Sequence, residues 1–141
     1  MKKLIKPLIV FIFGIFIGYY ICNTNSIKNI FTNTYKAFQI GVYTNLDTAN
    51  TYSSMYKDSI IIKDNELYRV YAAILKNQSN IENMSNYLTS KNIDFYLKEI
   101  EITNKETQKL INEYENLMTN NNEVVFLEIN KMIINKYKES L

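Results

Sequence analysis

Phe38-Gln39-Ile40-Gly41-Val42-Tyr43 and Leu67-Tyr68-Arg69-Val70-Tyr71-Ala72-Ala73 decide the fold of this chain. Both runs are short and rich in aromatic and β-branched residues, the composition of a strand. A polar segment with helical spacing follows each of them. After the first, Asn45 opens a helix in which Ala49, Tyr52 and Tyr56 recur at helical intervals, with Met55 beside them. After the second, residues 77–91 put Ile81, Met84, Tyr87 and Leu88 on one face, with Asn77 or Ser79 as cap and Lys91-Asn92 as stop. Two further strands read from residues 59–63, around Ile60-Ile61-Ile62, and 93–102, where Phe95 and Leu97 alternate with Tyr96 and Lys98. Asp64-Asn65 supplies a tight turn. The order strand, helix, strand, strand, helix, strand predicts an α+β ferredoxin-like module: a βαββαβ antiparallel sheet with two helices on one face.

The flanks extend this module. Residues 1–22 carry Lys2, Lys3 and Lys6 ahead of an apolar run. From Leu4 to Cys22 the run is about 19 residues with one internal charge, close to the ~20 needed to span a bilayer. Lysines before the run and none just after predict a single transmembrane helix with its N-terminus inside. Tyr19 and Tyr20 stand where interfacial aromatics are expected. A cleaved signal peptide is the competing reading, but Tyr20-Ile21-Cys22 lacks the small residues that cleavage needs. Bulky Ile21 likewise argues against a lipid-modified Cys22. Residues 23–34 read as a short polar linker of at most about 40 Å when extended. The module then runs over 35–102, in the extracytoplasmic space close to the cytoplasmic membrane.

Residues 103–141 add two amphipathic helices. Residues 104–119 carry Leu110, Ile111, Tyr114, Leu117 and Met118 at helical spacing. Residues 123–138 present a wider apolar face that includes Phe126, Ile129, Met132, Ile133 and Ile134. Joined at Asn120-Asn121-Asn122, they predict an antiparallel hairpin. The second helix has more apolar surface than its partner can cover. It therefore packs on the module's own sheet, or serves as a surface for another protein.

Composition removes several function classes. The net charge of +2 with no basic stripe beyond the N-terminus argues against nucleic acid as a partner. There is no His and only one Cys, so His-dependent triads, His-ligated zinc and intrachain disulfides are out. With three Gly, no phosphate-cradling loop exists. The residues predict no catalysis, no cofactor and no metal site.

Strict alternation along the strands would turn Phe38, Ile40 and Val42 toward the helices, together with Tyr68, Val70 and Ala72. Gln39, Gly41 and Tyr43 would face away, as would Arg69, Tyr71 and Ala73. The first and third strands are neighbours in this topology, so Gln39, Arg69 and Tyr71 would form one exposed patch, extended by Tyr96 and Lys98. An amide, a guanidinium and tyrosine rings suit a sugar. They are equally ordinary residues for an exposed strand face.

On these residues the stretch 35–102 resembles a SPOR domain, a bacterial peptidoglycan-binding module. Gln39-Ile40-Gly41-Val42-Tyr43 is similar to the first-strand pattern of that family. Asp47-Thr48-Ala49 falls at its helix opening, and Tyr68-Arg69-Val70 matches its third-strand Tyr-Arg-Val. The only Arg of the chain stands at the family's Arg position. The chain departs at Val42, usually Ser or Ala, and at Ala73-Ile74-Leu75, usually Gly-Pro-Phe. The resemblance implies non-catalytic binding of wall glycan strands at sites of wall synthesis, division or sporulation, with Gln39, Tyr43, Arg69 and Tyr71 as glycan-binding residues. The alternative is a protein-interaction module that binds a membrane or wall-assembly protein through its sheet face or C-terminal helices.

The lysine pattern generates the first test. Protease added to cells stripped of their wall should degrade everything from Asn23 onward. Survival of that segment, while an external control protein is cut, reverses the assigned orientation.

Overall fold

The computed structural model describes residues 33–56, 58–119 and 122–141. The expected anchor at 1–22, and the expected linker apart from Asn33 and Thr34, lie outside the described residues. Among the described residues, no helix is long and apolar enough to cross a membrane. Asn33–Leu141 forms one compact unit.

Eight elements follow in order: β1 (Thr34–Tyr43), α1 (Leu46–Met55), β2 (Ile60–Asp64), β3 (Leu67–Leu75), α2 (Gln78–Ser90), β4 (Tyr96–Glu101), α3 (Lys105–Met118) and α4 (Glu123–Glu139). The strands form one sheet in the order β2-β3-β1-β4, with every neighbouring pair antiparallel. This is α+β architecture with the expected strand order, and β1 and β3 occupy its centre.

Local chemistry sets the element ends. Among the described residues, all four helices open on an asparagine whose side-chain oxygen accepts a backbone N–H of the first turn: Asn45 from Asp47, Asn77 from Ser79, Asn104 from Glu106 and Thr107, Asn122 from Val125. Each cap satisfies donors that the helix itself cannot bond. Asn92 ends α2 with a φ of 54°, a left-handed conformation that asparagine tolerates. Asn65 turns the β2–β3 hairpin with a φ of 57° for the same reason.

The alternation expected along β1 holds through the buried Ile40 and fails at Val42 and Tyr43. The β1–β3 register shifts on both sides of Gln39 and passes over Ala72. A shift of one residue turns the following side chains to the opposite face. Val42, expected to face the helices, is 39% exposed. Tyr43, expected to face away from them, lies against Tyr52 of α1 with ring centroids 5.6 Å apart. Gly41 makes room for it: a Cβ there would meet the Tyr43 ring at 2.6 Å.

In β3, alternation of burial disappears altogether. Val70, Tyr71, Ala72, Ala73, Ile74 and Leu75 are all buried. A strand buried on both sides is covered on both sides. Beyond α1 and α2, the cover comes from the C-terminal hairpin, whose α4 packs on β3 and β2. Phe126, Ile129, Ile133 and Ile134 of α4, with Ile111 and Met118 of α3, join the same core cluster as Phe38 and Val70. The hairpin is thus part of the module's core, the first of the two placements open to it on sequence.

Three buried polar side chains fix its seat. The buried Asn130 side chain donates to the Ala72 carbonyl at 2.8 Å, at the residue the register shift leaves out of the ladder. The buried Glu115 carboxylate accepts the backbone N–H groups of Lys76 and Asn77, each at 2.9 Å, where β3 passes into α2. Asn80 in turn donates to the Glu115 carbonyl at 2.9 Å. Burial raises the Glu115 carboxyl above its ordinary value, against the opposing pull of the Asn77 and Lys76 N–H groups, the Asn80 amide and the Lys76 charge. Burial, and then the Glu115 charge, push the Tyr35 phenol up to about 12.

The shared core predicts that a chain ending at Thr103 does not fold. Six large apolar side chains leave with the hairpin, at about 1.5–3 kcal/mol each. Their sum matches the whole stability of a small domain, about 5–15 kcal/mol. Circular dichroism should record no cooperative melt, whereas a melt at the full chain's midpoint would make the hairpin an appendage.

Glu115 predicts a pH dependence. Its folded pKa lies above its unfolded one, so the folded state binds the extra proton. Stability from this group is complete below the unfolded pKa and is lost as pH rises through the folded pKa. Glu115→Gln keeps an acceptor and removes the charge. Urea midpoints should show the variant gaining on the parent as pH rises from 4 to 7, and a difference that is flat with pH would refute this.

Candidate functional site

The sheet carries a polar cluster at the end near the β2–β3 hairpin. The turn at Asn65 and Glu66 sets Asp64 opposite Leu67 and Ile62 opposite Arg69. Asp64 therefore sits one step diagonally from Arg69, on the same side of the hairpin. Its Oδ2 accepts from Arg69 Nε at 2.7 Å and from Lys98 Nζ at 3.1 Å. Arg69 Nη1 also donates to Gln39 Oε1 at 3.0 Å. Four strands thus supply one network: β1 gives Gln39, β2 Asp64, β3 Arg69 and β4 Lys98.

The network stays at the surface. The side chains of Arg69, Asp64 and Lys98 are 22%, 35% and 33% exposed. Tyr96, which pairs with Gln39 across β1 and β4, is 66% exposed beside it. Hydrogen bonds from Lys98 first, then Arg69, hold the Asp64 carboxyl below the ordinary carboxylate range, so it is ionised at neutral pH. With two cations and one anion the cluster carries a net charge of +1.

The four residues expected at the site separate into two groups. Gln39 and Arg69 are brought together, in direct contact. Tyr71 is not on the surface: it is 4% exposed. Tyr137 of α4 lies near enough for Tyr71 to contribute, after burial, to the raised pKa of its phenol. Tyr43 is turned away by the shifted register and rests on Tyr52 over Gly41. Lys98, expected only to extend the patch, is bonded into it.

Asp64, which the sequence marks only as a turn residue, is the shared acceptor of the cluster. A signal for it existed. Once the turn is set at Asn65 and Glu66, the hairpin register brings Asp64 diagonally beside Arg69 without further information. The burial of Tyr71 had no such local signal, because the helix that covers it begins about 50 residues later.

Chemically the cluster is a donor surface. Arg69 and Lys98 keep N–H groups beyond those spent on Asp64 and Gln39, and the Gln39 amide, bonded through its Oε1, keeps its NH2 as a further donor. Tyr96 adds an exposed ring. Among the described residues, no three His, Cys, Asp or Glu side chains gather as a metal site. Compared with known proteins, the chain matches no family model, no curated protein and no solved structure.

Proposed function

We propose that this chain is a membrane-anchored, non-catalytic module of SPOR type that binds peptidoglycan glycan and so holds the protein at sites of wall synthesis, division or sporulation. The observation that carries this reading is the Gln39–Arg69 pair, held side by side on an exposed part of the sheet at 3.0 Å. These are two residues of the motifs that resemble the family. Their donors suit sugar hydroxyls and N-acetyl carbonyls, and the neighbouring Tyr96 ring suits an apolar sugar face. The site is smaller than the motifs imply, with Tyr71 under the hairpin and Tyr43 against α1. It is composed of Gln39, Arg69, Lys98 and Tyr96.

The burial of Phe126, Ile129, Ile133 and Ile134 in the module's own core argues against the hairpin as the main protein-docking surface.

Retention on insoluble peptidoglycan tests the proposal. Gln39→Ala and Arg69→Ala should each lower affinity roughly 5- to 100-fold, the effect of losing one hydrogen bond of about 1–3 kcal/mol. The melting transition of each variant should remain cooperative. Full retention by the folded double variant would remove the glycan reading from this patch.

A further inference from the structure

The cluster around Asp64 has more donors than its own acceptors use. Arg69 has five N–H groups, and it bonds through Nε to Asp64 and through Nη1 to Gln39. Lys98 has three, and one faces Asp64. Both cations converge on the same oxygen, Oδ2, while Oδ1 receives only the Asn65 amide at 3.3 Å. One carboxylate thus stands between two cations on an open surface, and one positive charge is left over. A structural ion pair needs only one cation for one anion. Two cations around a single half-exposed carboxylate form a binding site for a carboxylate, with the chain's own side chain in it.

We propose that Asp64 is a built-in competitor and a specificity-determining residue: the patch takes a ligand bearing a carboxylate, which engages Arg69 and Lys98 in place of Asp64. This rests on the glycan reading and narrows it to sugars that carry an acidic group next to their N-acetyl group. Gln39 and Tyr96 contact the neutral part of such a ligand, and the two cations take its charge. Asp64 then has two effects. It keeps Arg69 and Lys98 in place when the site is empty, and an incoming carboxylate must displace it before engaging them. Because the pairs are exposed, exchanging one carboxylate for another has little desolvation cost. Oδ2 can give up its donors and remain hydrated, so displacement needs no movement of the backbone.

The test uses the full-length chain in mild detergent and two small probes, N-acetylmuramic acid and its methyl ester. The ester keeps the sugar, the N-acetyl group and the lactyl ether and removes only the charge. Titration followed by calorimetry or by NMR shifts should find the acid bound about 10-fold more tightly than the ester, the effect of one charge-assisted contact. Asp64→Asn keeps the side chain's size and removes the competitor. It should tighten the acid several-fold and leave the ester unchanged, whereas a merely structural Asp64 would weaken both. Lys98→Gln should bring the acid to the level of the ester, which keeps the proposal testable if Asp64→Asn unfolds. Equal binding of acid and ester overturns this inference and leaves the glycan reading intact. A preference for the acid that Asp64→Asn does not enlarge overturns the competitor role. Binding of neither probe by a chain that also fails to sediment with peptidoglycan overturns both.

Discussion

The burial of β3 on both of its faces is the constraint on which the rest of the structure depends. A strand with water on one side needs an apolar residue at every second position. From Val70 to Leu75 this strand has none exposed, so two layers must cover it. α1 and α2 alone do not supply both, and the hairpin of α3 and α4 becomes part of the fold. The arrangement also determines where polar groups can survive. Asn130 reaches the Ala72 carbonyl that the shifted ladder leaves open, and Glu115 collects two N–H groups at the end of the strand. A buried amide or carboxylate is tolerated only when such partners are present. These side chains therefore fix the hairpin in one position, where apolar packing alone would allow it to slide.

The same layer decides what remains for binding. The hairpin takes Tyr71 out of the surface, and the register shift sends Tyr43 to α1. The polar cluster survives at the opposite end of β3, around Arg69, where α4 does not bury it. There all four strands contribute one residue each to a network with a net positive charge. Sheet interiors are rigid, so four side chains based on four adjacent strands have little freedom to drift. An unliganded surface held in this way is pre-organised for a ligand, and its ion pairs contribute little to stability at that exposure. That asymmetry, order without a stability reason, is what distinguishes the cluster from the exposed pair of Lys36 and Glu99 on the opposite face of β1 and β4.

Asparagine illustrates how a compositional bias becomes structural material. The chain is rich in this residue, and its abundance alone carries no information. Yet each described helix begins at one, and two more hold the left-handed positions at Asn65 and Asn92. The short amide accepts a first-turn N–H and tolerates positive φ, and no other abundant residue here does both. Two others are buried, Asn80 and Asn130, each donating to a backbone carbonyl.

The sequence by itself determined the element order, the four helix starts and, to within one residue, the β2–β3 turn. These rest on short-range rules: periodicity, caps, turn chemistry and the register that a tight hairpin imposes. Only the tertiary structure decided which face the β1 residues occupy after Ile40, and which site residues stay in contact with water. The two register shifts that flank Gln39 send Val42 and Tyr43 to the faces opposite those expected, and no local pattern announces them. Tyr71 is an exposed tyrosine in a four-stranded sheet and a core residue once α4 lies over β3. Its burial is decided by side chains far along the chain, because contact is a property of the packed layers and not of the strand.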